Sequence, residues 1–178
     1  MLLGLAASGA AHPSFAQGLT QDEALRLAFP SPAAIERRTA FLSDAQLDSA
    51  RALAGRGVGI DQRIVTYYVG SQAGAPLGVA YFDSHRVRTL KEVVMVVVTP
   101  AGEVRQVEIL RFAEPPEYKA TEPWLAQFGG HALSPDLSLK EGIANLTGAT
   151  LTSNAVVGCV RRVLALHALI HPLAPAKP

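Results

Sequence analysis

Between Arg63 and Phe112 the chain makes four runs rich in Val, Ile, Tyr and Phe: Arg63 to Val69, Leu77 to Asp83, Glu92 to Thr99 and Val104 to Phe112. β-branched and aromatic side chains in short runs bounded by turn residues are the pattern of strands. Ser71-Gln72-Ala73-Gly74 separates the first two runs and Pro100-Ala101-Gly102 the last two, so each pair reads as an antiparallel hairpin. The core is thereby constrained to a mainly antiparallel sheet. The most apolar stretch, Val93-Val94-Met95-Val96-Val97-Val98, is six residues long and reads as a buried strand. It is too short to span a bilayer, and no other segment is expected to reach that length.

Helices are expected on either side of this sheet. Thr20-Gln21-Asp22-Glu23 is a capping box that opens a short helix, which Pro30-Ser31-Pro32 ends. A second helix is expected over Ala33 to Leu42. A third begins at the capping box Ser43-Asp44-Ala45-Gln46, runs to about Leu53, and is broken by Gly55, Gly57 and Gly59. A stretch rich in Pro and Gly follows the sheet, from Glu114 to Pro135. The last helix is expected from Ser153 to about Ile170, with Val156, Val160, Val163 and Ile170 as its apolar stripe and Val157, Leu164 and Ala168 widening it. The fold class is therefore α+β: a mainly antiparallel sheet with N-terminal helices and a C-terminal helix. A chain of 178 residues fits one domain. The expected organisation is a signal peptide over residues 1–16, a helical segment over 17–60, the sheet-bearing domain over 61–172, and a tail over 173–178.

Charge and cysteine usage exclude several classes. With a net charge of +1 and basic residues clustered no further than Arg37-Arg38 and Arg161-Arg162, there is no electrostatic footprint for nucleic acid. Cys159 is the sole cysteine, which excludes an internal disulfide and a thiolate cluster, and its place in the last helix favours a buried apolar role. Leu2 to Ala11 is a run of apolar and small residues, followed by Ser14 and Ala16 at spacing that suits a signal peptidase. Export is expected, to the periplasm or the outer face of the cytoplasmic membrane.

The segment that carries chemistry is Thr147-Gly148-Ala149-Thr150-Leu151-Thr152-Ser153, which places hydroxyls and a glycine at the start of the last helix. Unpaired N–H groups and the helix dipole favour an anion there, and glycine lets the backbone approach one. The same residues also suit an ordinary N-cap and turn.

The longer pattern, Leu146-Thr147-Gly148-Ala149-Thr150-Leu151-Thr152-Ser153-Asn154-Ala155-Val156, resembles the flavinylation motif of the FMN-binding domain family. That family includes flavinylated components of the sodium-translocating NADH:quinone reductase and of the Rnf electron-transport complex. Phe112 to Tyr118 and Trp124-Leu125-Ala126-Gln127-Phe128 are similar to the family's preceding loop and its Trp-Leu-x-Gln-Phe segment, so the likeness covers about residues 63 to 170. It implies that 61–172 is an FMN-binding domain and that Thr150 carries FMN through a phosphoester, attached from FAD by a flavin transferase. It further implies an electron carrier that works with membrane or periplasmic redox partners rather than a stand-alone catalyst. The position of the family's acidic residue is Ala144, which leaves noncovalent FMN as an alternative; a flavin-free module docking through the N-terminal helices is a second one.

A flavin needs an apolar wall for its ring and donors for its phosphate. Trp124, Leu125, Phe128 and Leu146 are candidates for the wall, with core packing the competing role for Trp124 and Phe128. Thr147, Gly148, Ala149, Thr150, Thr152 and Ser153 are candidates for the phosphate end. Glu114 and Tyr118 line the site by resemblance or serve the loop. No metal site is expected. His85-Arg86-Val87-Arg88 reads as a solvated turn, with positive charge for a phosphate or a reduced flavin as the alternative. His167 and His171, four apart, read as the C-terminal cap.

Overall fold

A computed structural model describes residues 18–139 and 141–174. The signal-peptide segment lies outside these residues. In order, the elements are α1 (Gln21–Ala28), β1 (Ala34–Phe41), α2 (Asp44–Ala54), β2 (Ile64–Gln72), β3 (Ala75–Arg86), β4 (Lys91–Val98), β5 (Val104–Phe112), α3 (Glu122–Leu125) and α4 (Thr150–Ile170), with single 3₁₀ turns at Pro116–Tyr118 and Ala126–Phe128. The strands form one antiparallel meander in the order β1-β2-β3-β4-β5. The α+β class and the mainly antiparallel sheet are as expected.

Alternation along the strands divides the interior in two. Val79 and Tyr81 of β3 and Val94, Val96 and Val98 of β4 face α2, α4 and Trp124, Leu125 and Phe128, forming the larger core. Ala80, Met95, Val97 and Leu110 face the other way, against Ala24, Leu25, Ala28 and Phe29 at α1. Because both faces of β4 are covered, its sequence is an unbroken apolar run rather than an alternation.

Both capping boxes form: Thr20 accepts from the Glu23 N–H and Ser43 from the Gln46 N–H, each with the reciprocal bond. The segment Ala33 to Leu42 differs from expectation. It holds strand β1, paired with β2 over eight residues from Ala34↔Ser71 to Phe41↔Ile64. Helix propensity is a weak local preference, and the open edge of β2 outweighs it by offering a full ladder of backbone partners. The charged residues Glu36, Arg37 and Arg38 then suit an edge strand, where they oppose pairing with further chains.

α4 has the length and apolarity to cross a membrane, contrary to the expectation that no segment does. Here it is a core helix, and Val156, Val160, Val163 and Leu164 are among its ten buried residues.

Phe29 lies flat on Gly70, where a Cβ would sit 2.2 Å from the ring. Arg105 stacks over the same ring at 4.9 Å and donates to the Ala28 and Leu77 carbonyls, so the ring has no room to move. Gly70→Ala is expected to lower stability by about 1–3 kcal/mol, the usual cost of overpacking. Urea unfolding measures it, and an unchanged midpoint would mean that Phe29 is not held against the sheet.

Candidate flavin site

The last helix begins at Thr150, three residues before the expected Ser153, and the residue before it, Ala149, provides no side-chain cap. The first bond of the helix runs from the Ser153 N–H to the Ala149 carbonyl. The N–H groups of Thr150, Leu151 and Thr152 therefore have no partner among the described residues. Gly148 precedes them at φ +81°, in the left-handed region that glycine enters without strain, and turns the chain into the helix.

The hydroxyls divide by direction. Thr152 is buried and donates to the Tyr118 carbonyl at 2.7 Å. Ser153 is also buried; it donates to the Ala149 carbonyl and accepts from the Leu146 N–H, both at 3.1 Å, which braces the loop before the helix. Thr147 and Thr150 are exposed. Of these two, only Thr150 lines the cleft at the helix start, with the Asn145 amide 3.4 Å from its Oγ1.

That cleft measures about 270 Å³ and is lined by Val87, Arg88, Glu114, Tyr118 and Gly148 to Thr152. It unites six of the residues expected from the sequence: Glu114, Tyr118, Gly148, Ala149, Thr150 and Thr152. Its rim carries Tyr118 and Leu151, which are 39% and 53% exposed and provide apolar surface beside the free N–H groups. The Glu114 carboxylate accepts from the N–H groups of Leu90 at 2.7 Å, Thr89 at 2.6 Å and Arg88 at 3.3 Å, and these bonds lower its pKa. Its place is therefore to anchor the β3–β4 turn, from which Arg88 presents its charge to the cleft.

Trp124, Leu125, Phe128 and Leu146 do not line the cleft. The first three are buried in the main core, Trp124 edge-on to Phe128 at 5.4 Å, and Leu146 packs against the same core. Their bearing on the site is indirect. Trp124 Nε1 donates to the Ala144 carbonyl at 2.7 Å, and the Gln127 side-chain oxygen accepts from the Ala144 N–H at 2.9 Å. The backbone three residues before Thr147 is held at both polar groups. Gln127 was visible in the Trp-Leu-x-Gln-Phe segment, but nothing in the pattern showed what it holds.

His85 is neither in a solvated turn nor in the cleft. It is 12% exposed, between the carboxylates of Asp83 and Glu92. Burial alone would lower its pKa, but the bonds to both carboxylates outweigh burial and raise it to about 9. His171 is the C-cap of α4, in the left-handed conformation, with its N–H on the His167 carbonyl. His167 does more than cap: its Nδ1 lies 3.0 Å from the Tyr81 hydroxyl. Burial, with a smaller contribution from His171, lowers its pKa to about 4, so it is neutral at pH 7 and pairs with the Tyr81 hydroxyl as a neutral imidazole.

Since the unfolded chain binds this proton near pH 6.5 and the folded one only near 4, the stabilisation is complete above pH 6.5 and is lost as pH falls toward 4. Up to about 3 kcal/mol is at stake. Urea midpoints of wild type and His167→Gln, compared from pH 7 to 4, are expected to show a shallower acid dependence in the variant. Parallel curves would mean that His167 is not held neutral.

Comparison with curated proteins finds no match. Residues 91–165, from β4 through the Trp124 loop and most of α4, match the model of the FMN-binding domain. The cleft fits that cofactor, with free N–H groups and Arg88 for a phosphate, a reachable hydroxyl at Thr150, and an apolar rim. Residues 91–165 therefore match an FMN-binding domain, and FMN is the cofactor that the match indicates.

Proposed function

We propose that the protein is an electron carrier in which FMN is joined to Thr150 by a phosphoester. The observation that carries this reading is the position of Thr150, an exposed hydroxyl on the first residue of an uncapped helix, beside three free N–H groups and opposite Arg88. Those groups neutralise and orient a phosphate held there. Bound at this site, FMN supplies reversible electron transfer, for which the protein needs no acid or base of its own.

Attachment requires a flavin transferase acting on FAD. The Thr150 oxygen forms a bond to the flavin-side phosphorus, the FAD pyrophosphate bond breaks, AMP leaves and the hydroxyl proton is released. Tyr118 and Leu151, exposed at the rim, would give an attached ring apolar support at the surface, where a redox partner could approach. The apolar N-terminal run with Ser14 and Ala16 supports export, and with it a role in a periplasmic or membrane-associated chain with partners there.

Ala144 favours a second reading, noncovalent FMN in the same cleft, because it stands where the flavinylated pattern carries an acid. Co-expression with a flavin transferase, followed by denaturing electrophoresis and intact mass, decides between them. A fluorescent band with a mass gain of one FMN less water is expected; a colourless band from protein that was yellow when folded would replace this reading with the noncovalent one.

A further inference from the structure

A second concentration of charge lies inside the fold, on the face of the sheet that α4 covers. Asp83 and His85 stand two apart on β3 and point the same way, His85 is in register with Glu92 of β4, and Cys159 and Arg162 descend from α4. His85 Nδ1 is 2.8 Å from Asp83 Oδ1 and its Nε2 is 3.0 Å from Glu92 Oε2. Arg162 grips Asp83 with two bonds of 2.7 and 2.8 Å. Glu92 is wholly buried, yet its second oxygen, Oε1, has no hydrogen-bond partner among the described residues. A buried carboxyl oxygen without a donor is costly, and it leaves negative charge behind the imidazole that favours a cation nearby.

The geometry points to a binding site for a divalent transition-metal ion of the zinc type, with Asp83, His85 Nδ1 and Cys159 as its protein ligands, water completing the set, and Glu92 behind the imidazole as the outer partner that holds Nε2. Donor atoms of Asp83, His85 and Cys159 already lie within 4.8 Å of one another. Tetrahedral zinc, with bonds of about 2.0–2.3 Å, holds its donors roughly 3.3–3.8 Å apart, so these need an inward shift of about 1 Å. One sulfur, one imidazole and one carboxylate suit zinc and its neighbours, whereas a thiolate does not suit calcium or magnesium.

An entry path is present. Pairing of β2 with β3 stops at Tyr67↔Tyr81, while β3 continues along β4 to Arg86↔Lys91. The strands part there around a cleft of about 680 Å³, whose walls include Asp83, His85 and Arg162. The cleft admits an ion and gives Arg162 room to turn off Asp83. As the ion binds, the Cys159 thiol and the coordinating imidazole nitrogen each release a proton to solvent. Two protons are exchanged for one divalent ion, so the cluster keeps its charge balance. Cys159 lies nine residues beyond Thr150, about 14 Å along the helix, which makes this centre separate from the flavin cleft.

The test is titration of the full-length, chelator-stripped protein with Co²⁺, followed by displacement with Zn²⁺. One equivalent of Co²⁺ is expected to give the visible bands of a tetrahedral site together with a near-ultraviolet thiolate-to-cobalt band. Cys159→Ala should lose the thiolate band and weaken binding at least tenfold while keeping its flavin. Glu92→Gln should weaken binding at least tenfold but retain the thiolate band at saturation. Thr150→Ala should bind Co²⁺ like wild type, so failure of the flavin reading leaves this result unaffected. Wild-type protein that takes up Co²⁺ without a thiolate band, or takes up none, overturns the proposal without reference to the folding of any variant.

Discussion

Thr150→Ala, co-expressed with a flavin transferase, is expected to bring in-gel flavin fluorescence down to background and to remove the mass gain of one FMN less water. The effect is all-or-none because the phosphoester oxygen is the Thr150 hydroxyl itself. The neighbouring hydroxyls offer no substitute. Thr152 and Ser153 are buried and bonded to the Tyr118 and Ala149 carbonyls, while Thr147 does not line the cleft. Thr150→Ser keeps an oxygen in place and should retain attachment. Stability should move by less than about 0.5 kcal/mol in both variants, since Thr150 is exposed and its one side-chain contact is long. A fluorescent band that persists in Thr150→Ala would transfer the attachment elsewhere, with Thr147 as the other exposed hydroxyl of the motif.

Trp124→Ala is expected to lower stability by about 3–5 kcal/mol, the range for truncating a large buried aromatic residue. It removes the edge-on contact with Phe128 and leaves the Ala144 carbonyl without its donor. The consequence for the site is separable from the loss of packing. Trp124→Phe keeps most of the ring volume and loses the N–H, and Gln127→Ala loses the acceptor for the Ala144 N–H together with the donor to the Trp124 carbonyl. Trp124→Phe should cost about 1–3 kcal/mol through the Ala144 carbonyl left without its donor, and Gln127→Ala, after which the exposed Ala144 N–H can turn to water, about 1 kcal/mol. Both should reduce flavin loading under limiting transferase by releasing the loop that leads into Gly148. Loading equal to wild type in both variants, at full folding, would mean that the clamp on Ala144 stabilises the core without positioning the motif.

Structure dictated locally is the most legible in the sequence. The capping boxes at Thr20 and Ser43 are each complete within four residues, and strand β5 matches its expected bounds of Val104 to Phe112. Strand β1 is not legible in this way: its residues make few buried contacts of their own and become a strand because β2 has an open edge. At the site, the motif led to Thr150, Gly148, Glu114 and Tyr118 through a resemblance. It could not separate residues that line the cleft from those that support it, because burial of Trp124 in the core and exposure of Thr150 at the cleft are set by packing of α4 on the sheet rather than by spacing along the chain. The reading of His85 as part of a solvated turn failed for a related reason: its partner Glu92 is defined only by β3–β4 register, and Arg162 reaches the same cluster from α4.

The sequence by itself determined the antiparallel sheet, the long apolar last helix, the cofactor class and the residue on which attachment is proposed, because each is written in contiguous residues whose period, caps or motif act over a few positions. Tertiary structure alone decided which hydroxyl remains exposed, which aromatic residues are core, and that three charged side chains and a cysteine from β3, β4 and α4 meet in the interior around His85. Those outcomes depend on register and helix docking, in which burial and hydrogen bonding across long sequence separations outweigh the preferences of any single segment.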